Sequence, residues 1–367
     1  MSLPESGVEF IGYVNTQPVS EIHPATGPVI DVDYIATVAR AHEASGFDRA
    51  LVAFHSTSPD SLLVAAHAGA VTETLNLMIA HRPGFTAPTV AARQLATLDR
   101  LTGGRVAVHI ITGGDDAEQR QDGDFLGKDD RYARTDEYLD VMKAEWTSDT
   151  PFDHEGRFYR VEGAYSNVRS VRAPHIPVYF GGASEAALRV AARHADVYAL
   201  WGETHAQVRE LTGKVRALAR AHGRAPRFSL SFRPILADTE AAAWERAEAI
   251  YQKGLALDRA SGVAKTPAAN TGAHRLLAAV AQGERLDKRL WTKMASLSGG
   301  RWNSTALVGT PEQVADALLD YYDLGVTTFL IRGFDPLDDA IDYGRVLIPA
   351  TRELVRKRRA RAGVAAE

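Results

Sequence analysis

Short apolar runs alternate with amphipathic stretches along most of the chain, and this alternation predicts strands that are each followed by a helix. The clearest change of period falls at Gly103 and Gly104, where a helical pattern ends and a strand-like apolar run begins. The predicted strands cover residues 8–14, 50–54, 75–80, 106–112, 178–180, 196–201, 228–237 and 328–332. The predicted helices cover residues 33–45, 61–71, 89–101, 131–146, 185–193, 206–222, 240–257, 311–324 and 337–355.

Eight strands, each followed by a helix, predict an α/β fold of the (β/α)₈ TIM-barrel type. An open, doubly wound sheet is the alternative, but such sheets usually have about five or six strands. We expect residues 1–367 to form a single domain. The segment 260–303 lies between the seventh and eighth predicted strands and is too long for an ordinary barrel loop. We therefore predict an irregular, mobile insertion there that acts as a lid over the barrel mouth.

Composition narrows the classes of function. The net charge of −4 gives no indication of a nucleic-acid or membrane partner. The chain has no cysteine, which excludes disulfides, thiolate metal sites and a cysteine nucleophile. The twelve histidines lack the spacing of metal ligands, so no metal is expected. Without a signal-type segment or a long apolar run, the expected location is cytoplasmic.

Barrel enzymes place their sites at the carboxyl ends of the strands, and one such end suggests a phosphate site. Gly181 and Gly182 follow a predicted strand, and Ser184 precedes a predicted helix. Glycines allow main-chain N–H groups to approach an anion, and a helix N-terminus carries partial positive charge. An ordinary turn with a capping serine is the alternative interpretation.

Other strand ends carry cations and aromatic rings, which together suit a planar cofactor beside an anionic substrate. These residues are Trp201, Phe334, Arg82, Arg233, Arg301 and Arg332. His55 and His81 also lie at strand ends. The Gly-x-Ser-x-Gly pattern of a serine nucleophile is absent from the sequence, and paired strand-end carboxylates of glycosidase type are poorly supported.

Several longer motifs then carry a family resemblance. They are Ala-Pro-Thr-Val-Ala-Ala-Arg-Gln with Ala-Thr-Leu-Asp-Arg-Leu up to residue 101, Thr-Gly-Gly at 112–114 with Asp-Gly-Asp-Phe-Leu up to 126, Arg131-Tyr132, Tyr-Phe-Gly-Gly-Ala-Ser at 179–184, Trp201-Gly202-Glu203 and Thr-Ala-Leu-Val-Gly at 305–309. Over residues 8–350 the chain resembles the bacterial-luciferase-like flavin monooxygenases, and in particular the alkanesulfonate monooxygenase branch.

The resemblance implies a barrel with an insertion between its seventh and eighth strands. It implies reduced FMN as cofactor, supplied by a separate NAD(P)H-dependent flavin reductase. The FMN phosphate would lie near Tyr132, Gly182, Ala183 and Ser184, with Thr112 beside the isoalloxazine ring. With O₂ as co-substrate, the C–S bond of a small anionic organosulfonate would break to give sulfite and an aldehyde. Family members are commonly dimers or tetramers, so a homodimer or homotetramer is expected.

The chain also departs from the family pattern. Gln17 stands where the family has His, Ser58 where it has Cys, and Phe334 where it has Tyr. An Arg and His pair becomes Ser231 and Arg233. Counting both retained and altered positions, the catalytic candidates are Trp201, Arg233, His81, Ser58 and Gln17, and the substrate-binding candidates are Arg301, Arg332, Phe334 and Asn15.

Extra polarity at the strand ends suggests a functionalised substrate, such as the sugar sulfonate sulfoquinovose. Three alternatives remain open at this stage. One is a related flavin monooxygenase acting on a sulfone, an amine or a chelating acid. Another is a deazaflavin-dependent oxidoreductase, and the last is a protein that binds flavin without turnover.

Overall fold

The structure, a computed structural model, describes residues 3–262 and 270–364. The strands are β1 (Glu9–Tyr13), β2 (Arg49–Val52), β3 (Asn76–His81), β4 (Val106–Ile110), β5 (Phe152–Glu155), β6 (Arg160–Ala164), β7 (Val178–Gly181), β8 (Val197–Trp201), β9 (Arg227–Leu236), β10 (Arg285–Leu286), β11 (Leu290–Trp291), β12 (Ala306–Gly309) and β13 (Val326–Ile331).

The helices are α1 (Val32–Ala44), α2 (Ser61–Ala70), α3 (Pro88–Leu101), α4 (Asp116–Gln121), α5 (Lys128–Thr147), α6 (Glu185–His194), α7 (His205–Arg220), α8 (Glu240–Ser261), α9 (Thr271–Val280), α10 (Lys293–Ser298), α11 (Pro311–Asp323), α12 (Pro336–Asp342) and α13 (Ile348–Val364), with a π-helical turn at Tyr343–Leu347. Over the described ranges, the helices lack the length and apolarity needed to cross a membrane.

The central strands form a closed parallel barrel surrounded by helices. Their hydrogen-bonded order is β9, β13, β1, β2, β3, β4, β7 and β8, and β8 pairs back to β9. The predicted (β/α)₈ fold is therefore confirmed. Most barrel strands have nearly continuous buried residues, as expected for parallel strands covered on both faces. The eight predicted strands match the observed ones to within one or two residues at each end.

The chain divides into two compact units. One contains residues 1–50, 199–213 and 227–367, and the other contains residues 51–198 and 214–226. In the first unit, β12 pairs with the second half of β9, so that Ala306 lies opposite Arg233. The second unit includes the antiparallel β5–β6 hairpin.

The prediction that 260–303 is irregular was wrong for the part that the structure describes. Residues 263–269 of this segment lie outside the described residues. The remainder contains α9, the β10–β11 hairpin and α10. The side chain of Asn270 caps α9, and Ala273, Leu276 and Ala279 are buried at helical spacing, so a short amphipathic signal was present. The action of this segment as a lid stays a prediction.

A buried histidine joins α1 to the end of β1. His42 Nδ1 donates a hydrogen bond to the Val38 carbonyl, 2.7 Å away, and its Nε2 accepts one from the Tyr13 amide at 3.2 Å. A Cβ on Gly12 would lie 1.9 Å from the imidazole, so the strand needs glycine at this point. The neutral ring satisfies both hydrogen bonds, and burial lowers the pKa of His42 to about 4.

We predict that His42 makes stability depend on pH. Because its folded-state pKa is below the ordinary value of about 6.5, the unfolded chain binds a proton first on acidification. As the pH falls from about 6.5 to about 4, His42 therefore removes roughly 1.4 kcal/mol of stability per pH unit. His42→Gln should lower the free energy of unfolding at neutral pH and reduce this slope.

Urea unfolding across that pH range measures both effects. His222→Gln is the matched control, because His222 is exposed just beyond α7. The control should keep the slope of the unaltered chain. An unchanged slope in His42→Gln would contradict the assignment of the proton to this ring.

Candidate active site

The turn after β7 requires glycine. Gly182 has a φ of +134°, a region that side chains of L-residues rarely adopt. An added Cβ would lie 2.8 Å from the Cβ of Ala187 and 3.0 Å from the hydroxyl of Tyr132. The Tyr198 hydroxyl donates to the Gly182 carbonyl at 2.6 Å and fixes the turn from the other side. The main chain therefore approaches Tyr132 more closely than any residue with a side chain allows.

Hydroxyl groups and main-chain amides converge at the beginning of α6. Ser184 is the N-cap, and its Oγ accepts a hydrogen bond from the Ala187 amide at 3.3 Å. Tyr132, on α5, is hydrogen-bonded to Ser184, and burial raises the pKa of the Tyr132 phenol, which therefore stays neutral. Ala183 lies half-buried between the glycine and the cap. The structure thus brings together the four predicted phosphate-binding residues, and neutral donors at a helix N-terminus fit a phosphate group.

Thr112 lies just after β4 in the same unit. It is buried, and its hydroxyl is 3.2 Å from that of Thr135. The next residue, Gly113, has a φ of +95°, and its added Cβ would lie 2.4 Å from the side chain of Gln119. Gln119 belongs to α4, a short helix that the sequence analysis missed. The role of Thr112 beside a flavin ring stays a prediction.

His81, at the end of β3, is a neutral hydrogen-bonding group. Its Nε2 is 2.7 Å from the Tyr138 hydroxyl, and the two ring centroids are 5.6 Å apart. Burial lowers the pKa of His81 to about 4, so the imidazole is uncharged at neutral pH. It can donate or accept one hydrogen bond but does not offer a positive charge to an anion.

Arg82 is neutralised by residues of the same unit. Its Nη2 is 2.6 Å from Glu118 Oε1, and its Nη1 donates to Ser56 Oγ at 3.1 Å. The guanidinium also lies over the ring of Phe54, 4.7 Å from the centroid. Ser58, the predicted catalytic residue on this loop, is exposed, and Ser56 makes the contact to Arg82 instead. Arg82 therefore carries no spare charge toward a ligand.

A pair of arginines that is less fully neutralised than Arg82 lies toward the ends of β9 and β13 in the first unit. Arg233 is 1% exposed, its Nη1 is 2.5 Å from Glu21 Oε2, and its Nη2 donates to the Gly333 carbonyl at 2.7 Å. Its guanidinium stacks on Phe334, 3.7 Å from the ring centroid. Arg332 Nη2 is 2.7 Å from Glu21 Oε1. One carboxylate is therefore shared by two guanidinium groups.

The charges of this cluster do not cancel. Burial and repulsion from Arg332 lower the pKa of Arg233 to about 10, so Arg233 is still protonated at neutral pH. Burial alone would raise the pKa of Glu21, but Arg233 and Arg332 outweigh it and lower that pKa to about 2. Two positive charges and one negative charge leave a net positive site. The Nε atoms of both arginines are buried without a hydrogen-bond partner among the described residues.

Neighbouring residues hold this cluster in place. Ser20 Oγ donates to the Phe334 carbonyl at 2.6 Å, and the His23 imidazole is hydrogen-bonded to the Asp335 carboxylate. Asp339 accepts hydrogen bonds from the amides of Phe334 and Asp335 at 2.8 and 3.0 Å. The turn that carries Glu21 is therefore attached to the turn that carries Phe334.

The sequence analysis identified Arg233, Arg332 and Phe334, and the structure brings these three together. It missed Glu21, which stands in a polar loop with no periodic pattern. The only available signal was an acidic residue shortly after a strand end.

The remaining predicted residues of the first unit lie on separate segments. Asn15 Nδ2 donates to the Val19 carbonyl at 3.1 Å, and Gln17 is half-buried on the same loop. Trp201 ends β8, and an added Cβ on Gly272 of α9 would lie 3.0 Å from its ring. Arg301 lies between α10 and β12 and is half-buried. The roles of these residues stay predictions.

One group of described residues has the spacing of metal ligands. It consists of Asp136, Asp140 and His194. Arg193 already forms ion pairs with both aspartates, at 2.5 and 2.7 Å. The carboxylates are therefore engaged by a fixed cation, and we assign the group to a structural ion-pair network.

The fold is that of a TIM barrel, and polar and charged groups stand at the carboxyl ends of its strands, where barrel enzymes have their sites. A family model described as "Luciferase-like monooxygenase" matches residues 9–328. The chain belongs to this family, whose members are flavin-dependent enzymes.

Solved structures share the fold at low sequence identity. EDTA monooxygenase from Chelativorans sp. BNC1 is 20% identical, with a TM-score of 0.76 over 96% of this chain and 94% of that one. DmoA from Hyphomicrobium sulfonivorans is 21% identical, with a TM-score of 0.72 over 94% and 88%. The oxygenating constituent of 3,6-diketocamphane monooxygenase from Pseudomonas putida, solved in complex with FMN, is 16% identical, with a TM-score of 0.68 over 93% and 96%.

We predict that Gly182→Ala destabilises the chain by about 1–3 kcal/mol, because it combines a strained φ with a Cβ against Tyr132. Gly213→Ala is the matched control. Gly213 lies within α7, and an added Cβ there meets no atom within 4 Å. Alanine at that helical position should raise stability by roughly 0.5–1 kcal/mol. Urea unfolding compares the two variants, and a Gly182→Ala chain as stable as the unaltered one would refute the close approach.

Proposed function

We propose that the chain is a reduced-FMN-dependent monooxygenase that cleaves the C–S bond of a small organosulfonate. One oxygen atom of O₂ enters the aldehyde product, the other leaves as water, and sulfite departs. The carrying observation is that the buried guanidinium of Arg233 and the half-buried guanidinium of Arg332 keep a net positive charge around Glu21. Arginine is well suited to oxyanions because its planar fork donates several hydrogen bonds at once.

The residues after β7 provide the proposed place for the FMN phosphate. Tyr132 and Ser184 offer hydroxyl groups, and the main chain from Gly182 to Ser184 offers amides beside a helix N-terminus. Thr112 is proposed to lie beside the flavin ring. When bound, reduced FMN supplies the electrons that activate O₂. A separate flavin reductase using NAD(P)H is the proposed source of the reduced cofactor.

The chain's own contribution is binding, orientation and exclusion of water. Arg233 is held rigidly because it is stacked on Phe334 and tied to Gly333, so its charge is preorganised. Trp201 is proposed as an apolar wall that keeps water from the reacting bond. His81 stays neutral and is suited to hydrogen bonding rather than to charge pairing.

Polar side chains favour a functionalised carbon skeleton on the substrate. Asn15 and Gln17 are proposed to contact hydroxyl groups, and Arg301 is proposed to add a further contact to the anion. Ser58 remains the proposed counterpart of the family's cysteine. A sugar sulfonate such as sulfoquinovose is therefore a better candidate than a plain alkanesulfonate.

We also propose a homodimer or homotetramer located in the cytoplasm. Leu63 on α2 is 71% exposed and Leu101 on α3 is 79% exposed, which supports an apolar contact between copies. Size-exclusion chromatography with light scattering tests the oligomer directly.

The reaction is tested by measuring sulfite release from a panel of organosulfonates with FMN, a flavin reductase and NADH. We predict release from at least one functionalised sulfonate. Arg332→Gln should raise the KM at least about tenfold because one of two oxyanion donors is lost. Arg345→Gln is the control, since Arg345 is exposed and pairs only locally with Asp342 among the contacts described.

Absence of sulfite from every organosulfonate would refute the proposed reaction. Turnover with reduced deazaflavin in place of reduced FMN would instead favour the oxidoreductase alternative. Flavin binding without O₂ uptake would favour a non-enzymatic flavin carrier.

A further inference from the structure

The two oxygens of Glu21 occupy the positions that an oxyanion would take on the arginine pair. Oε2 lies 2.5 Å from Arg233 Nη1, and Oε1 lies 2.7 Å from Arg332 Nη2. A sulfonate also presents oxygens that share one negative charge on a single central atom, with three such oxygens where a carboxylate has two. A ligand anion and the Glu21 carboxylate therefore need the same donors.

Binding of Glu21 and of a ligand anion to the two arginines at the same time is unfavourable. With Glu21 in place, one terminal nitrogen of each arginine already faces the carboxylate and Arg233 Nη2 donates to the Gly333 carbonyl, so a second anion would stand beside the first. Repulsion between two anions at hydrogen-bonding distance is strong where water is largely excluded. Glu21 stays ionised at neutral pH, since the arginines hold its pKa at about 2, so protonation does not relieve the repulsion.

The structure provides a route by which Glu21 leaves without unfolding the loop. The turn beneath it is fixed, because Ser20 and His23 exchange main-chain hydrogen bonds and their side chains bind Phe334 and Asp335. The Glu21 side chain itself is 28% exposed. Because part of the Glu21 side chain already faces solvent, we expect rotation about its side-chain bonds to move the carboxylate outward while the turn stays in place.

We propose that Glu21 is a built-in competitor for the anionic group of the substrate. In the empty site its carboxylate bridges Arg233 and Arg332, and on binding the substrate anion replaces it. The exchange keeps the charge of the cluster unchanged, because one anion leaves as another arrives. It also makes the site selective, because only an anion that binds the two arginines more favourably than the Glu21 carboxylate can replace it. This inference rests on the proposed function, in which the substrate is an anion.

Methanesulfonate is the probe for the test. Its binding to the full-length chain is measured by isothermal titration calorimetry at neutral pH, with and without FMN. Glu21→Gln should bind methanesulfonate about tenfold more tightly than the unaltered chain, because the competing charge is gone. Glu248→Gln is the matched control, because it removes a surface glutamate that pairs with Lys293 and should leave binding unchanged.

A second variant keeps the proposal testable if Glu21→Gln does not fold. Glu21→Asp keeps the charge but is one methylene shorter, so its carboxylate cannot reach both guanidinium groups as glutamate does. We expect it to bind methanesulfonate about threefold more tightly than the unaltered chain. Adding Arg332→Gln to either variant should abolish the gain. If neither Glu21 variant binds more tightly, the competitor role is overturned.

The outcomes separate this inference from the proposed function. Tighter methanesulfonate binding in the Glu21 variants, with no sulfite released from any organosulfonate, would support the competitor and refute the reaction. Sulfite release by the unaltered chain, with unchanged or weaker methanesulfonate binding in both Glu21 variants, would support the reaction and overturn the competitor.

Discussion

A buried charge must be paired, and this constraint organises the first unit of the chain. Arg233 is almost completely enclosed, and Arg332 lies beside it, so the two positive charges repel each other. Glu21 relieves this repulsion from the loop after β1, which is far from both arginines in the sequence. Truncating one member of such a cluster leaves an uncompensated buried charge, which is far costlier than the loss of a surface ion pair. The loop after β1 and the turn after β13 are therefore held together by electrostatics.

The two candidate binding regions use different chemistry. At Gly182 and Ser184, the groups offered are main-chain amides and hydroxyls, which are neutral and fixed by a helix terminus. At Arg233 and Arg332, the groups offered are full charges already engaged by a carboxylate. A site that holds a phosphate permanently needs only hydrogen-bond donors positioned to meet the phosphate oxygens. In the proposed role, displacement of Glu21 weakens the bound substrate and the transition state alike, so it lowers affinity and favours release without changing the barrier from the bound state.

The features that could be predicted from the sequence are those that depend on residues close together along the chain. Most barrel strands are largely apolar runs, a pattern typical of parallel strands covered by helices and recognisable without knowing which strands pair. The sequence also indicated the turn at Gly182 and the N-cap at Ser184, because a glycine pair and a capping serine are contiguous in the chain, whereas their binding of phosphate stays a prediction. The order of strands in a barrel follows from the repetition of βα units, so the fold class was accessible too.

What escaped prediction depends on contacts between distant residues. Glu21 resembles any polar loop residue until β9 and β13 place two arginines beside it. Ser56 and Ser58 lie on one short loop, and contacts to Glu118 on α4 and to Asp122 just after it hold Ser56, rather than Ser58, beside Arg82. In the segment 260–303, the helix α9 is only ten residues long, and its short amphipathic pattern was overlooked.

The most direct test of this account is a crystal structure of the chain with bound methanesulfonate. The account predicts that the sulfonate oxygens lie within hydrogen-bonding distance of the guanidinium groups of Arg233 and Arg332, with the Glu21 carboxylate turned toward solvent. A sulfonate bound elsewhere, or one bound while Glu21 still bridges both arginines, would contradict it.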